Sequence, residues 1–224
     1  METNTRIIIN YNTWKRRENY EFFKDFLNPS WSVTCDVDCT EAYKRAKSEK
    51  SSFFLKYLYA ILRAANEVEE MRYRVEKVEN NEVIVLYKNV SVITPIAVGK
   101  EGRFHSVNIP YNKNFEKFSK TATEIIKSIP EEINPYAAEN AAKRNHGFMD
   151  MILVASNPGL AFTSMTCTQS CRQGSEKPLI NVGKMKEREG RLYIPVFTSV
   201  HHGLCDGHHI TQFYDKISEY LAIV

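Results

Sequence analysis

The sequence predicts an α+β fold in which a mixed β-sheet packs against helices. Three observations support this prediction. Strand-like and helix-period segments alternate irregularly along the 224 residues, with hairpins and few regular β-α-β units. No glycine-rich phosphate loop is present among only 9 glycines, which disfavours Rossmann and P-loop nucleotide-binding folds. Because the chain has domain length and no repeat or linker, we expect residues 1–224 to form one domain.

The N-terminal half is predicted to contain short strands, two helices and a hairpin. Between residues 52 and 69, apolar side chains recur every three or four positions, which indicates a helix buried along one face. Thr40 is a suitable N-cap for a shorter helix before it. Asn80-Asn81 separates two strand-like runs and predicts a hairpin turn. The predicted strands cover 6–10, 31–37, 73–78 and 83–87, and the helices cover 41–47 and 52–69.

The C-terminal half is predicted to alternate strands with two main helices. Apolar periodicity within 115–126 marks a helix that stops near Pro130, and the polar stretch 131–147 is expected to be mostly loop. Apolar residues within 210–221 share one face of a final helix. The predicted strands cover 90–98, 104–109, 151–156, 160–165, 179–182 and 191–200, with a short helix at 137–143.

Charge and composition exclude several classes of partner. The chain has 30 basic and 27 acidic residues and a net charge of +3, which is too balanced to indicate nucleic acid. No apolar run reaches the ~20 residues of a membrane-spanning helix, and the first residues lack the order of a signal peptide. We therefore expect no nucleic-acid or membrane partner and a cytoplasmic location.

The 5 cysteines raise the question of a metal site. Cys35 and Cys39, like Cys167 and Cys171, have C-x3-C spacing. In a strand-like segment, however, residues four apart lie too far from each other to hold one ion. We therefore expect no metal site, and reduced thiols of the kind found in cytoplasmic proteins.

Residues 201–207 carry the clearest chemical signal. Their sequence, His-His-Gly-Leu-Cys-Asp-Gly, follows an apolar, β-branched run that is typical of a buried strand. Neutral imidazole can accept a proton at pH 7, and a nearby carboxylate can fix its tautomer or charge. Neighbouring strand residues face opposite ways, so only one of the two histidines can point into a given cleft. A histidine base that acts on a hydroxyl is one hypothesis.

Other interpretations of this segment stay open on the residues alone. Cys205 could be a thiol nucleophile, although no context that lowers its pKa is evident. Asp206 and four histidines could bind a metal, although their spacing matches no familiar zinc pattern. These histidines are His201, His202, His208 and His209. A histidine could also merely cap the strand.

Two separated motifs resemble one enzyme family. His-His-x-x-x-Asp-Gly at the end of a strand resembles the chloramphenicol acetyltransferases and the acyltransferase cores of 2-oxo acid dehydrogenase complexes. Residues 14–23, Trp-Lys-Arg-Arg-Glu-Asn-Tyr-Glu-Phe-Phe, resemble the W-x-R-R-E-x-F-E-F-Y signature of the chloramphenicol enzymes specifically. Segments at 72–74, 110–111 and 178–184 fall where that family has similar sequences, so the resemblance covers nearly the full length.

The resemblance implies a fold and an activity. The fold would be a two-layer sandwich, and the reaction would be acetyl transfer from acetyl-CoA to a hydroxyl of chloramphenicol, which inactivates the antibiotic. His202 would be the general base in a ternary complex, with acetyl-CoA as co-substrate and no tightly bound cofactor. Asp206 would pair with Arg16 and hold the active-site loop. The family also implies homotrimers with active sites at subunit interfaces.

The resemblance further implies which residues line the substrate pockets. Phe22, Phe23 and Phe104 match positions that line the acceptor pocket. Lys184 matches a lysine near the CoA phosphate. Asn181 stands at a serine or threonine position of the same segment, where its amide can still donate a hydrogen bond.

Several positions depart from the family pattern. In its S-x-x-P-W segment the family places a serine hydroxyl on the oxyanion, but here that position is Ala155 and the tryptophan position is Gly159. Loss of one such donor typically costs about 10²–10³ in turnover. Ser156 is adjacent, but a shift of one residue turns a side chain to the other face of a strand unless a bulge intervenes. Phe23 replaces the tyrosine that ends the N-terminal signature. Three further replacements lie near the histidines, at Ser199, Gly203 and His208.

These departures leave alternatives to the chloramphenicol assignment. One is an acyltransferase of the same fold with a different hydroxyl or amine acceptor. Another is a weakly active or non-catalytic paralogue that binds a ligand. A dehydrogenase-complex core is less expected, since the sequence shows no lipoyl domain or Ala/Pro-rich linker.

Overall fold

A computed structural model describes residues 6–79, 81–99, 102–144, 150–168 and 177–224. Within these residues the chain forms ten strands and six α-helices. The strands are β1 (Arg6–Ile8), β2 (Ser30–Asp38), β3 (Tyr73–Val78), β4 (Asn81–Tyr87), β5 (Ser91–Ala97), β6 (Phe104–Ile109), β7 (Met151–Ser156), β8 (Leu179–Val182), β9 (Lys186–Arg188) and β10 (Arg191–His201). The helices are α1 (Arg17–Phe23), α2 (Thr40–Ser48), α3 (Phe53–Glu67), α4 (Phe115–Lys127), α5 (Ala137–Arg144) and α6 (Gly207–Ile223).

The larger of two sheets is mixed, as the sequence predicts. Its strands follow the order β2-β10-β8-β7-β5-β6, and β9 also pairs with β10. β7 runs parallel to both of its neighbours, β5 and β8. The remaining pairs are antiparallel. The smaller sheet, β1-β4-β3, is antiparallel throughout.

Helices α2, α3, α4 and α6 share one core with the larger sheet. α3 begins at an N-cap, Ser52, whose hydroxyl accepts the Leu55 N–H at 3.3 Å. Its fully buried Leu58 belongs to one hydrophobic cluster with Val154 of β7 and Val196 of β10. Burial of each such side chain contributes about 1.5–3 kcal/mol. This packing confirms the predicted α+β architecture. No helix in the described ranges is long and apolar enough to cross a membrane.

A second cluster fixes α1 close to the end of β10. It contains Trp14, Tyr20, Tyr73, Val75, Ile84 and Leu204. The Trp14 and Tyr73 rings lie 5.4 Å apart and are inclined by 70°, an arrangement that aromatic pairs favour. Because Tyr20 belongs to α1 and Leu204 follows β10, the cluster joins the two motifs that the sequence singles out.

The pairing of β2 with β10 brings a tryptophan beside the histidine pair. The register sets Val200 opposite Trp31 and His201 opposite Ser30. One residue further, the His202 N–H donates to the Pro29 carbonyl at 2.8 Å. The backbone of both histidines is therefore anchored to β2 and the residue before it.

The predicted strand at 160–165 is wrong, because this segment is irregular. β7 and β8 are parallel and pair directly with each other. The chain must therefore cross from the end of β7 back to the start of β8, and residues 160–165 form part of that crossover. Other predicted elements within the described ranges are confirmed, with ends displaced by a few residues.

The predicted N-cap of α2 is wrong by one position. Cys39 is the cap and Thr40 the first helical residue, because Asp38 Oδ1 accepts the Thr40 N–H at 2.9 Å. Asn80 of the predicted hairpin turn, residues 145–147 of the predicted loop and Cys171 of the second C-x3-C pair lie outside the described residues.

Candidate active site

The turn between β10 and α6 carries the two histidines. The N–H groups of Leu204 and Cys205 donate to the His201 carbonyl at 3.0 and 2.9 Å. Asp206 caps α6, since its Oδ1 accepts the His208 N–H at 3.2 Å. Residues 202–205 are therefore held at both ends, by the end of β10 and by the N-cap of α6.

His201 is buried and supports the turn itself. Its Nδ1 accepts the Gly203 N–H at 3.0 Å, and its ring centroid lies 5.8 Å from that of Tyr20. Burial, followed by the proximity of His202, lowers the pKa of His201 to about 4. His201 is therefore neutral at pH 7, and a buried ring with one nitrogen engaged is unsuited to take a proton from a substrate.

Gly203 permits the close approach of α1 to this turn. A Cβ at this position would lie 2.9 Å from Tyr20 Cα and 3.0 Å from His201 Cε1. Such contacts require a neighbour to move, and the first of them is backbone. A side chain at position 203 would therefore require α1 to move.

The ring of His202 is held between two aromatic side chains. Phe23 stacks on it with centroids 4.2 Å apart and planes inclined by 7°, and Trp31 lies 5.3 Å away. The Trp31 indole N–H donates to the Cys205 carbonyl at 3.0 Å, which fixes this second ring to the turn. His202 Nδ1 is buried and has no hydrogen-bond partner among the residues that the structure describes. Stacking therefore orients this imidazole.

The Arg16 side chain connects the N-terminal motif to the turn. Its Nη1 donates to Asp206 Oδ2 at 2.8 Å. Its Nε and Nη2 donate to the carbonyls of Gly203 and His202, each at 3.2 Å. Burial opposes ionisation of Asp206, but the hydrogen bond from Arg16 and nearby positive charge outweigh it, so its pKa lies below the ordinary value. The structure thus places Arg16 and Asp206 in the contact that the resemblance implies.

Two further residues extend this network, and sequence reasoning missed both connections. His209 Nδ1 accepts the Asp206 N–H at 3.2 Å, and its Nε2 lies 3.2 Å from Glu70 Oε1. Glu70 lies in a short 3-10 helix just before β3. No motif marks Glu70 in the sequence, and its contact with His209 depends on how α3, which precedes this 3-10 helix, packs against α6.

The nucleophile and metal interpretations of the histidine segment are not supported by its geometry. Cys205 is buried, and burial raises the pKa of its thiol well above neutral pH, so the reactive thiolate is not formed. Within the described ranges, no group of three or more His, Cys, Asp or Glu side chains is arranged to hold a metal ion. His208, which is exposed, is instead paired with Gln212 of α6.

Ser156 and Ala155 lie on opposite faces of β7. The register with β8 is regular, with Ala155 opposite Asn181 and Ser156 opposite Val182, so no bulge displaces either residue. The Ser156 hydroxyl accepts a hydrogen bond from the Tyr57 hydroxyl of α3 at 3.0 Å. Ser156 therefore faces the helical layer and does not take the position of Ala155.

Ser156, Tyr57 and Lys184 line a cavity of about 620 Å³, which we call the Lys184 cavity. It lies between α3 and the ends of β5, β7 and β8. Most of its wall is apolar and includes Phe53, Phe54, Ile96, Val182, Met185 and Ile194. Asn181 does not line this cavity, because it points to the opposite face of the sheet with its pairing partner Ala155. There it borders a separate cavity of about 180 Å³ and accepts a hydrogen bond from Asn157 at 2.8 Å.

Within one chain, His202 and the Lys184 cavity lie far apart. Val182 pairs with Val196, six residues before His202, which at about 3.3 Å per residue corresponds to roughly 20 Å. Phe104 is also remote, because β6 lies four strands from β10 in the sheet order. Phe22 is 65% exposed beside Phe23. The structure therefore brings together five predicted site residues and separates them from the others. The five are Arg16, Phe22, Phe23, His202 and Asp206.

Comparison with known proteins identifies the family. The model of the family described as chloramphenicol acetyltransferase matches residues 4–218. The chain belongs to the chloramphenicol acetyltransferase family. This membership confirms the acyltransferase class that the two motifs predict.

Individual relatives agree with this membership. A chloramphenicol acetyltransferase of Proteus mirabilis is 25% identical over 96% of this chain and 94% of its own length. A chloramphenicol acetyltransferase of Bacillus pumilus is 25% identical over 90% of this chain and 87% of its own length. A solved structure named chloramphenicol acetyltransferase is 44% identical, has a TM-score of 0.90, and is matched over 97% of this chain and 100% of that chain. The two-layer fold expected from the resemblance is thereby confirmed.

Acid should destabilise the folded chain through His201. Its folded pKa of about 4 lies below the ~6.5 of an unfolded histidine, so between these values the unfolded state binds more protons. Stability present above pH 6.5 is lost as the pH falls toward 4. From this group we expect the free energy of unfolding, measured with urea, to fall by about 2 kcal/mol between pH 7 and pH 5.

A His201→Gln variant provides the control. Its amide oxygen can accept the Gly203 N–H, but the side chain does not titrate. The fall in unfolding free energy should therefore be about 2 kcal/mol smaller than in the wild type. Equal falls in both proteins would contradict the role assigned to His201.

Asp206→Asn should lower the free energy of unfolding by about 2 kcal/mol, because it leaves Arg16, which is 7% exposed, without its carboxylate. Asp36→Asn is the matched control. It removes a 3.0 Å pair with Arg188, whose side chain is 56% exposed, and should cost less than about 1 kcal/mol. Urea denaturation measures both, and equal losses would show that the Arg16 pair acts as an ordinary surface pair.

Proposed function

We propose that this chain is an acetyl-CoA-dependent O-acetyltransferase that acetylates a hydroxyl of chloramphenicol, with His202 as general base. The observation that carries the proposal is the His202 imidazole, stacked on Phe23 and anchored through a turn that Arg16 and Asp206 hold. The relatives named above are chloramphenicol acetyltransferases, which supports the choice of acceptor. Acetylation at a hydroxyl would inactivate the drug and confer resistance.

The proposed reaction proceeds in one ternary complex. His202 removes the proton of the acceptor hydroxyl, and the oxygen attacks the thioester carbonyl of acetyl-CoA. The resulting tetrahedral intermediate collapses with cleavage of the C–S bond, and the imidazolium returns its proton to the CoA sulfur. The face of Phe23 lies against the ring and keeps the imidazole oriented during transfer. No covalent acyl-enzyme is needed, since binding holds both substrates together.

Arg16 and Asp206 act as positioning residues in this proposal. Arg16 binds the carbonyl of His202 itself and that of Gly203, while Asp206 neutralises its charge. Proton transfer requires the base within hydrogen-bond distance of the hydroxyl. A displacement of the turn therefore reduces turnover even though neither residue touches substrate.

The two substrates are proposed to occupy different surfaces. Phe22 and Phe23 supply an apolar wall for the acceptor on the His202 side. Phe104, which is remote from His202 within one chain, would join this wall from a second copy of the chain. The Lys184 cavity takes acetyl-CoA, because Lys184 offers a positive charge to a phosphate group and the apolar wall suits the uncharged arm. Asn181 faces the other side of the sheet together with Ala155, so it is not part of this surface.

The separation of these surfaces supports a homotrimer. One chain places His202 roughly 20 Å from the Lys184 cavity by strand spacing, and in a homotrimer the Lys184 cavity of a second copy would lie beside His202. Cys35, Cys39, Cys167 and Cys205 are free thiols. They fit the proposed cytoplasmic location, where acetyl-CoA is formed and thiols stay reduced.

A different acceptor is the second candidate, and Phe23 favours it. Phe23 lacks the hydroxyl of the N-terminal signature, which makes the acceptor side less polar and would suit a different alcohol or an amine. Ala155 lacks the hydroxyl that the family places on the oxyanion, which would slow transfer to any acceptor.

Recombinant protein supplied with acetyl-CoA should release free CoA thiol when chloramphenicol is added. His202→Ala should lower the turnover number at least about 100-fold, since general-base catalysis contributes 10²–10⁴. If the wild type with chloramphenicol released thiol no faster than the His202→Ala variant, the choice of acceptor would be overturned. A panel of alcohols and amines then tests the second candidate, and failure to bind acetyl-CoA would favour a non-catalytic ligand-binding protein.

Hybrid oligomers should test the shared site. Ala97 is exposed and lines the Lys184 cavity, so Ala97→Trp should block this cavity without disturbing the core. Chains with His202→Ala and chains with Ala97→Trp should each be inactive alone. When the two are co-expressed in equal amounts, about one quarter of the wild-type rate should be recovered. Each shared site takes its histidine from one chain and its cavity from the next, and only one of the four combinations leaves both intact. Inactive hybrids of wild-type size, or active monomers, would contradict the proposal.

A further inference from the structure

Two hydroxyl groups meet inside the otherwise apolar wall of the Lys184 cavity. The Tyr57 hydroxyl donates to Ser156 Oγ at 3.0 Å, and both side chains line the cavity. Tyr57 is only 8% exposed. Burial raises the pKa of its phenol, so the group keeps its proton at neutral pH.

This pair has one proton more than its own hydrogen bond uses. Each hydroxyl carries one donor proton and two acceptor lone pairs. The bond between Tyr57 and Ser156 engages one proton, and the second has no acceptor among the residues that the structure describes. Ser156 is half-buried and lines the cavity, so a ligand oxygen placed here can accept this proton in place of solvent.

We infer that the Tyr57–Ser156 hydroxyl pair donates a hydrogen bond to a carbonyl oxygen of the acyl donor bound in the Lys184 cavity. The inference rests on the proposed function and assigns to it two residues that the family motifs do not mark. Lys184 lies two residues beyond Val182, the partner of Ser156, at about 7 Å along the strand. The cavity therefore offers a cation and a neutral donor at separate points.

This arrangement matches the chemistry of an acyl-CoA. Its phosphates need positive charge, its arm carries amide carbonyls, and its thioester has a carbonyl at the reacting end. Phe53, Ile96 and Val182 present only apolar surface, so the hydroxyl pair is well placed to fix the position of a carbonyl along the cavity. When the Tyr57 hydroxyl donates to Ser156 Oγ, the proton available to the ligand is that of Ser156. The same bond limits the rotation of the Ser156 hydroxyl.

The test compares the Tyr57→Phe/Ser156→Ala double variant with Tyr59→Phe. Both remove a tyrosine hydroxyl from α3, but the Tyr59 hydroxyl donates to the Lys113 carbonyl, outside the cavity. Calorimetry gives the Kd of acetyl-CoA and of CoA without acceptor, and steady-state assays give kcat and the KM for acetyl-CoA. The double variant should lose about 10-fold in acetyl-CoA affinity or in kcat. Tyr59→Phe should stay within twofold, and Ser156→Thr, which keeps a hydroxyl, should retain most of the wild-type value.

The two ligands distinguish which carbonyl is bound. Equal weakening of CoA and acetyl-CoA would assign an amide oxygen of the arm, whereas a loss confined to acetyl-CoA or to kcat would assign the thioester oxygen. A double variant that matches the wild type in every constant would overturn the inference and leave the proposed function intact. Failure of the wild type itself to bind acetyl-CoA would overturn both.

Discussion

The guanidinium of Arg16 is the interaction on which the candidate site depends. It reaches from the segment before α1 to a turn more than 180 residues later and binds two backbone carbonyls and the Asp206 carboxylate. A cation this deeply buried is stable only while those partners stay in place. The same contact sets the distance between α1, which carries Phe23, and the turn, which carries His202. The stacked pair at the centre of the site is therefore a product of long-range electrostatics and not of local sequence.

The sequence was sufficient to predict the fold class and three residues of the network around Arg16. The histidine segment and the N-terminal signature led to Arg16, His202 and Asp206, which the structure brings together. Strand alternation predicted that only one histidine faces a given cleft, but not which one. The answer depends on Tyr20, which covers His201 from α1, and no pattern within residues 201–207 encodes that contact.

Other residues of the site follow from pairings that the sequence alone does not determine. Trp31 reaches the turn only because the β2–β10 register sets it opposite Val200. Tyr57 meets Ser156 only because α3 packs on the face of β7 to which that serine points. The segment 160–165 has the composition of a strand, yet the parallel pairing of β7 and β8 makes it a crossover. In each case tertiary arrangement overrides or completes a local preference.

The glycine at position 203 has a consequence for exchange of residues between relatives. Replacing residues by those most frequent in a family often stabilises a protein, but any residue other than glycine at this position adds a Cβ. The 2.9 Å that separates a Cβ from Tyr20 Cα means that α1 must be displaced as well. Position 203 and the path of α1 are therefore coupled, and their effects do not add. A side chain at position 203 is therefore compatible with the fold only if α1 takes a different path, which is a structural origin of epistasis between these two segments.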